Sequence, residues 1–186
     1  MWNSFVQTAF TKGFYPSMNT RSLARTALIA AVYTAVCLAL PFLSYNVVQI
    51  RFSEALTLLP VLMPEAIWGL TIGCFLSNLI GTFLGTTLPL DIVVGTLATF
   101  LAALATRGLA GLRWNRLAIP AMLPPILFNA VIVGAELTYL YSNHFTAEIF
   151  AFNAATIAAG QLVSCALGVV LVWLIEKNPS LKRHLK

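Results

Sequence analysis

From residue 66 to residue 90 the chain carries no charge. A helix needs ~20 apolar residues to cross the ~30 Å hydrocarbon core of a bilayer, and this run is long enough. Small residues recur in it at every fourth position: Gly69, Gly73, Ser77, Gly81 and Gly85. That spacing puts them on one face of a helix, where they let a second helix approach closely. One amide, Asn78, sits beside the ladder. Acids stand around the run, with Glu54 and Glu65 before it and Asp91 after it. Polar groups at membrane depth are costly and tend to face a bundle interior or a cavity.

Composition extends this reading to the whole chain. Of 186 residues, 59% are hydrophobic and only 9% charged, against roughly 25% charged in an ordinary globular domain. Lipid must be the main solvent. The expected fold is all-α, an integral membrane bundle of six transmembrane helices. The spans lie at about 26–43, 53–63, 65–85, 91–106, from after Arg116 to about 141, and 148–175. The second is short, with Pro60 at its end or at a kink. In the fifth, Pro120, Pro124 and Pro125 free backbone carbonyls that neighbouring helices must satisfy. The expected organisation is a tail (1–20), a six-helix membrane domain (21–178) and a basic tail (179–186).

Six spans put both termini on one side. Lys12, Arg21, Arg25, Arg107, Arg113, Arg116, Lys177, Lys182, Arg183 and Lys186 fall on that side, and Arg51 alone on the other. By the positive-inside rule, both termini are cytoplasmic. The net charge of +5 is explained by this orientation, not by nucleic acid. Cys37, Cys74 and Cys165 lie in apolar runs without metal spacing and read as buried thiols.

Orientation also fixes depth. Glu54 and Asp91 begin helices at the outer surface; Asn78, Glu136 and Asn153 fall in the outer half; Asn129 and Gln161 lie nearer the middle. Asn129 and Glu136 are seven residues apart and share a helix face. Each polar group has a structural alternative. Arg51 and Glu54 could form an ion pair at the membrane edge, Asp91 could cap its helix, and the amides could bond between helices. A shared depth favours an outward-facing cavity for a polar small molecule. The alanines Ala27, Ala31, Ala35 and Ala39 form a stripe suited either to internal packing or to a partner helix.

There is no G-x-x-x-x-G-K-[ST] loop, so the chain does not itself use ATP. No nucleophile elbow appears, no metal-ligand cluster, and His144 and His184 are isolated. The chain reads as a binding subunit and not an enzyme, without a cofactor or metal of its own.

The runs RFSEALTLLP, PEAIWGLTIGCFLSNLIG and DIVVGTLATFLAALATRGLAG resemble the queuosine-precursor transporter (QueT) family, over most of the chain after about Ser22. Members of that family are substrate-binding S subunits of energy-coupling factor (ECF) transporters. The resemblance implies a multi-pass protein of the bacterial plasma membrane, partnered by a transmembrane scaffold subunit and two cytoplasmic ATPases. The S subunit binds its ligand near the outer face and reorients to release it inward, with ATP used by the partners. Ala27, Ala31 and Ala35 then correspond to the scaffold-contacting helix. The implied ligand is a 7-deazaguanine precursor of queuosine, whose N–H edge suits carboxylate acceptors and whose ring suits aromatic stacking. The expected substrate-binding residues are Arg51, Glu54, Asn78, Asp91, Asn129, Glu136, Tyr139 and Asn153, with Tyr45 and Tyr141 as further aromatic candidates. The alternatives are an S subunit for another vitamin, such as thiamin or biotin, and an ion-coupled carrier using Glu136 and Asp91.

Overall fold

Asn19 opens the first helix. Its Oδ1 accepts the Ser22 N–H at 2.8 Å, an N-cap bond, and α1 (Thr20–Ala39) follows. The computed structural model describes residues 19–39, 51–141 and 145–181. Residues 1–18 of the expected N-terminal tail, residues 40–43 of the first span, the loop holding Tyr45, both histidines and the basic residues after Leu181 lie outside the described residues. Five stretches are long and apolar enough to cross a membrane: Thr20–Ala39, Ala66–Phe83, Asp91–Gly108, Ile119–Leu140 and Ala147–Lys177. Among the described residues there is no strand, and Trp114 and Leu117 form an isolated bridge.

α2 (Ala66–Phe83) lies alongside α1 in the same direction. Arg25 pairs with Glu65 at 2.8 Å, Gly69 meets Ile29, and Gly73 meets Tyr33 and Ala30. Thr34 Oγ1 then donates to the Gly73 carbonyl at 3.1 Å. A Cβ on Gly73 would stand 2.8 Å from Tyr33 Cβ, and one on Gly69 would stand 2.8 Å from Ile29 Cβ. The ladder is a contact surface because backbones replace side chains there. Its last member does something else. Gly85 adopts φ +72°, Thr86 N–H bonds the Gly81 carbonyl at 2.8 Å and Gly85 N–H bonds the Thr82 carbonyl at 3.1 Å. This pair is a Schellman ending, so Gly85 stops the helix instead of packing it.

Two helices that run in parallel need a return path between them. The stretch expected as a short second span is a 3-10 helix, Phe52–Val61. Its ~2.0 Å rise per residue carries it ~20 Å, where an α-helix of equal length would cover ~15 Å. Ser53, Glu54, Thr57, Leu58, Leu59, Pro60 and Val61 are all buried, as befits a segment packed on every side. α3 (Asp91–Gly108) and the long α6 (Ala147–Lys177) flank it. The small stripe of α6 makes room: a Cβ on Gly168 would meet the Ala55 carbonyl at 2.5 Å. Thr146 caps α6, its side chain accepting the Ile149 N–H.

The fifth expected span is not one α-helix. It begins as a 3-10 turn, Ile119–Met122, continues as α4 (Leu123–Phe128), widens into a π-turn, Asn129–Val133, and ends as α5 (Gly134–Tyr141). The prolines and their consequences explain the start. Pro125 has no N–H, which frees the Ala121 carbonyl. Thr106 of α3 donates its hydroxyl to that oxygen at 3.3 Å. Leu123 N–H takes the Pro120 carbonyl that Pro124 leaves open.

One end of the bundle gathers arginines. Besides Arg25–Glu65, Arg107 donates to the Pro60 carbonyl at 3.0 Å, and Arg113 pairs with Glu176 at 2.7 Å.

The packing makes a direct prediction. Gly73→Val should destabilise the protein in detergent by about 1–3 kcal/mol, the usual cost of overpacking. Gly108→Ala, with nothing within 4 Å of its Cβ position, should be near neutral. Equal melting temperatures for the two variants would contradict the close approach of α1 and α2.

Candidate functional site

The opposite end holds the polar groups. The start of the 3-10 helix brings Arg51 and Glu54 inward, at 6% and 0% exposure. The Tyr33 hydroxyl, itself fully buried on α1, donates to Glu54 Oε1 at 2.5 Å. Cys37 Sγ and Ser53 Oγ lie 3.0 Å apart beside them. Tyr33 and Cys37 occupy the face of α1 opposite the alanine stripe, which is why the helix can show alanine outward and polar groups inward.

α2 contributes Asn78. Its Nδ2 donates to the Asp91 carbonyl at 2.8 Å and approaches Cys74 Sγ at 3.5 Å. Gly95 permits this, since a Cβ there would sit 2.9 Å from that nitrogen. Asn78 therefore ties α2 to the start of α3. Asp91 is the first residue of α3 and does not cap it. Its Oδ2 accepts the Leu88 N–H at 3.0 Å, closing the preceding turn. A side chain at the first helical position is past the place from which a cap bonds forward.

α5 contributes Glu136, 5% exposed, whose carboxyl lies beside that of Asp91 and within electrostatic reach of Arg51. Arg51 also acts on Glu54, Tyr33 and Cys74. Arg51, Glu54, Asn78, Asp91 and Glu136, five of the eight residues expected from sequence, thus form one electrostatic and hydrogen-bonded group.

The other three stand differently. Asn153 Nδ2 donates to Thr138 Oγ1 at 3.0 Å, a bond between α6 and α5. Asn129 turns back to the Pro125 carbonyl at 2.9 Å within its own rod. Tyr139 is 74% exposed, directed away from the buried polar group. The side chain of Tyr141 lies outside the described residues. Sequence reasoning missed Tyr33. The available signal was a single tyrosine in the apolar, alanine-rich middle of the helix, since a buried tyrosine O–H usually finds a partner.

Among the described residues, five buried side-chain oxygens find no hydrogen-bond partner in the protein: Glu54 Oε2, Asn78 Oδ1, Thr96 Oγ1 and both oxygens of Glu136. A buried polar atom without a partner costs roughly 1–3 kcal/mol, and more when charged. Each such group in a folded protein calls for a partner beyond the protein's own side chains and backbone, such as an ordered water, an ion or a bound molecule. Among the described residues, no group of three or more His, Cys, Asp or Glu side chains could hold a metal ion.

Tyr33→Phe should remove the donor from Glu54 Oε1 and lower unfolding stability by about 1–3 kcal/mol. Tyr139→Phe, at an exposed position, should stay within about 0.5 kcal/mol of wild type. A melting curve of each variant in detergent distinguishes them, and an unperturbed Tyr33→Phe protein would count against the buried bond.

Residues 23–177 match the model of a family described as QueT transporter. No curated protein matches the chain, and no solved structure does.

Proposed function

The chain belongs to the QueT transporter family, and on that premise we propose that it is the S subunit of an ECF importer for a queuosine precursor. The observation that carries the binding role is the set of buried oxygens on Glu54, Asn78 and Glu136 without protein partners. A 7-deazaguanine offers an edge of N–H donors to such acceptors. Charge-assisted hydrogen bonds of this kind are about twice as strong as neutral ones.

We assign the site to Arg51, Glu54, Asn78, Asp91 and Glu136. Asn129 and Asn153 act as supports behind it, through their bonds to Pro125 and Thr138. The aromatic platform is not assigned to Tyr139, whose exposure separates it from the group.

The proposed topology has six crossings, with the 3-10 helix as the second and both termini in the cytoplasm. Two features support it. The parallel course of α1 and α2 requires a return between them, and Arg25, Arg107 and Arg113 cluster at the end away from the binding group. Residues 21–178 then make up the membrane domain of a plasma-membrane protein. Ala27, Ala31 and Ala35 are exposed on α1, which supports contact with a transmembrane scaffold subunit. Two ATPase subunits supply the energy, since the chain has no phosphate-binding loop.

A second reading, an ion-coupled carrier, draws on the proximity of Asp91 and Glu136. Two experiments separate the readings. Tryptophan fluorescence titration of the purified chain should show saturable binding of a 7-deazaguanine and none of thiamin or biotin. Reconstituted alone in vesicles, the chain should give no gradient-driven uptake. Saturation by an unrelated vitamin only would overturn the ligand, and uptake by the chain alone would overturn the S-subunit role.

A further inference from the structure

Residues 109–118 join α3 to the 3-10 turn that opens the fifth stretch, at the arginine-rich end of the bundle. Residues 111–116 are all exposed, and they include Leu112 at 54% and Trp114 at 69%. Trp114 and Leu117 exchange both backbone hydrogen bonds, at 3.0 and 2.9 Å. The two residues between them take positive φ, Asn115 at +50° and Arg116 at +66°. That is the backbone of a two-residue hairpin turn, whose second place favours glycine. Asparagine tolerates the left-handed region, but an arginine is a poorer choice for the turn than glycine would be.

Charge at this end is also uncompensated. Among the described residues the acids here are Glu65 and Glu176, and each already holds an arginine, Arg25 and Arg113 respectively. No acid occurs from residue 92 to residue 135. Lys177 lies over the Trp173 ring, 4.8 Å from its centroid. Arg116 makes no ion pair among the described residues. Tryptophan beside arginine at the end of a span suits the membrane–water interface, where phosphate is the group a guanidinium binds best.

We propose that this turn binds the headgroup of an anionic phospholipid, with the Arg116 guanidinium on the phosphate and Leu112 and Trp114 in the interfacial layer. Arg113 stays on Glu176 and braces the turn against the end of α6. Two observations favour lipid over an acidic protein surface. The turn connects two membrane-crossing stretches, Asp91–Gly108 and Ile119–Leu140, so it lies at headgroup depth. Its exposed apolar members also suit that layer, where aromatic rings concentrate. The bound lipid pins this end of the bundle to the membrane surface. The site is independent of the 7-deazaguanine ligand and of the energy source, and needs only that these two stretches cross the bilayer.

The test is native mass spectrometry of the full chain, released from neutral micelles holding equal amounts of phosphatidylglycerol and phosphatidylcholine with the same acyl chains. The wild type should retain the anionic lipid over the neutral one by about fivefold or more. Arg116→Gly should cut that preference about fivefold, the effect of one arginine near an anionic surface. It should nevertheless melt no lower than the wild type in neutral detergent, since glycine suits the φ of this position. Arg21→Ala, which removes an exposed arginine of α1 at the same end, should keep the preference. Equal retention of the two lipids by the wild type overturns the lipid site in favour of an acidic protein partner. A preference unchanged in Arg116→Gly, or lost equally in Arg21→Ala, overturns the role of Arg116. If Arg116→Gly does not fold, Arg116→Asn, neutral and tolerant of positive φ, decides by the same ratio.

Discussion

The contact of α1 with α2 across Gly69 and Gly73 sets the terms for everything around it. Because no side chain separates them there, the two helices lie backbone to side chain over several turns, in parallel. Parallel neighbours need a segment that returns along the bundle between the end of one and the start of the next. The 3-10 helix Phe52–Val61 takes that path, and its tighter winding stretches ten residues over more of the bundle than an α-helix would. That return brings Arg51 and Glu54, both polar, into the centre at one end. The polar end of the bundle is built where this charged segment packs against α3 and α6.

A membrane interior supplies no water to backbone or side-chain groups, so each must find its partner within the protein. Much of the chain meets that demand. Thr106 covers the carbonyl that Pro125 exposes, Arg107 covers that of Pro60, and the Schellman ending covers those of Gly81 and Thr82. Asn129 and Asn153 commit their amides to structural bonds. Against this background, the unpartnered oxygens of Glu54, Asn78 and Glu136 are not general looseness. They concentrate where three elements meet around Arg51, which gives the binding reading its physical content.

Much of this is legible in the sequence. Long uncharged runs mark the five apolar helices, and the every-fourth small residues mark where α2 is approached. The prolines announce that another helix has to donate. Depth, argued from helix rise and arginine placement, groups Glu54, Asn78, Asp91 and Glu136 without knowledge of any contact. The rest depends on partners that spacing does not reveal. A short apolar run with a proline does not say whether it winds as α or 3-10. Gly85 has the ladder's spacing, yet only its positive φ shows that it ends the helix. Asn129 shares a face with Glu136 by arithmetic, but a π-turn and a backbone carbonyl claim it. Asn153 has the expected depth, and its bond to Thr138 is not visible in the spacing; Tyr33 is hidden among alanines.

The most direct measurement is an experimental structure of the purified chain with a bound 7-deazaguanine. The ligand should lie at the Arg51 end, within hydrogen-bond distance of the Glu136 carboxylate and of Glu54 Oε2 or Asn78 Oδ1. A ligand seated at the end where Arg25 pairs with Glu65, or one that leaves those oxygens without a partner, would contradict the assignment of the site.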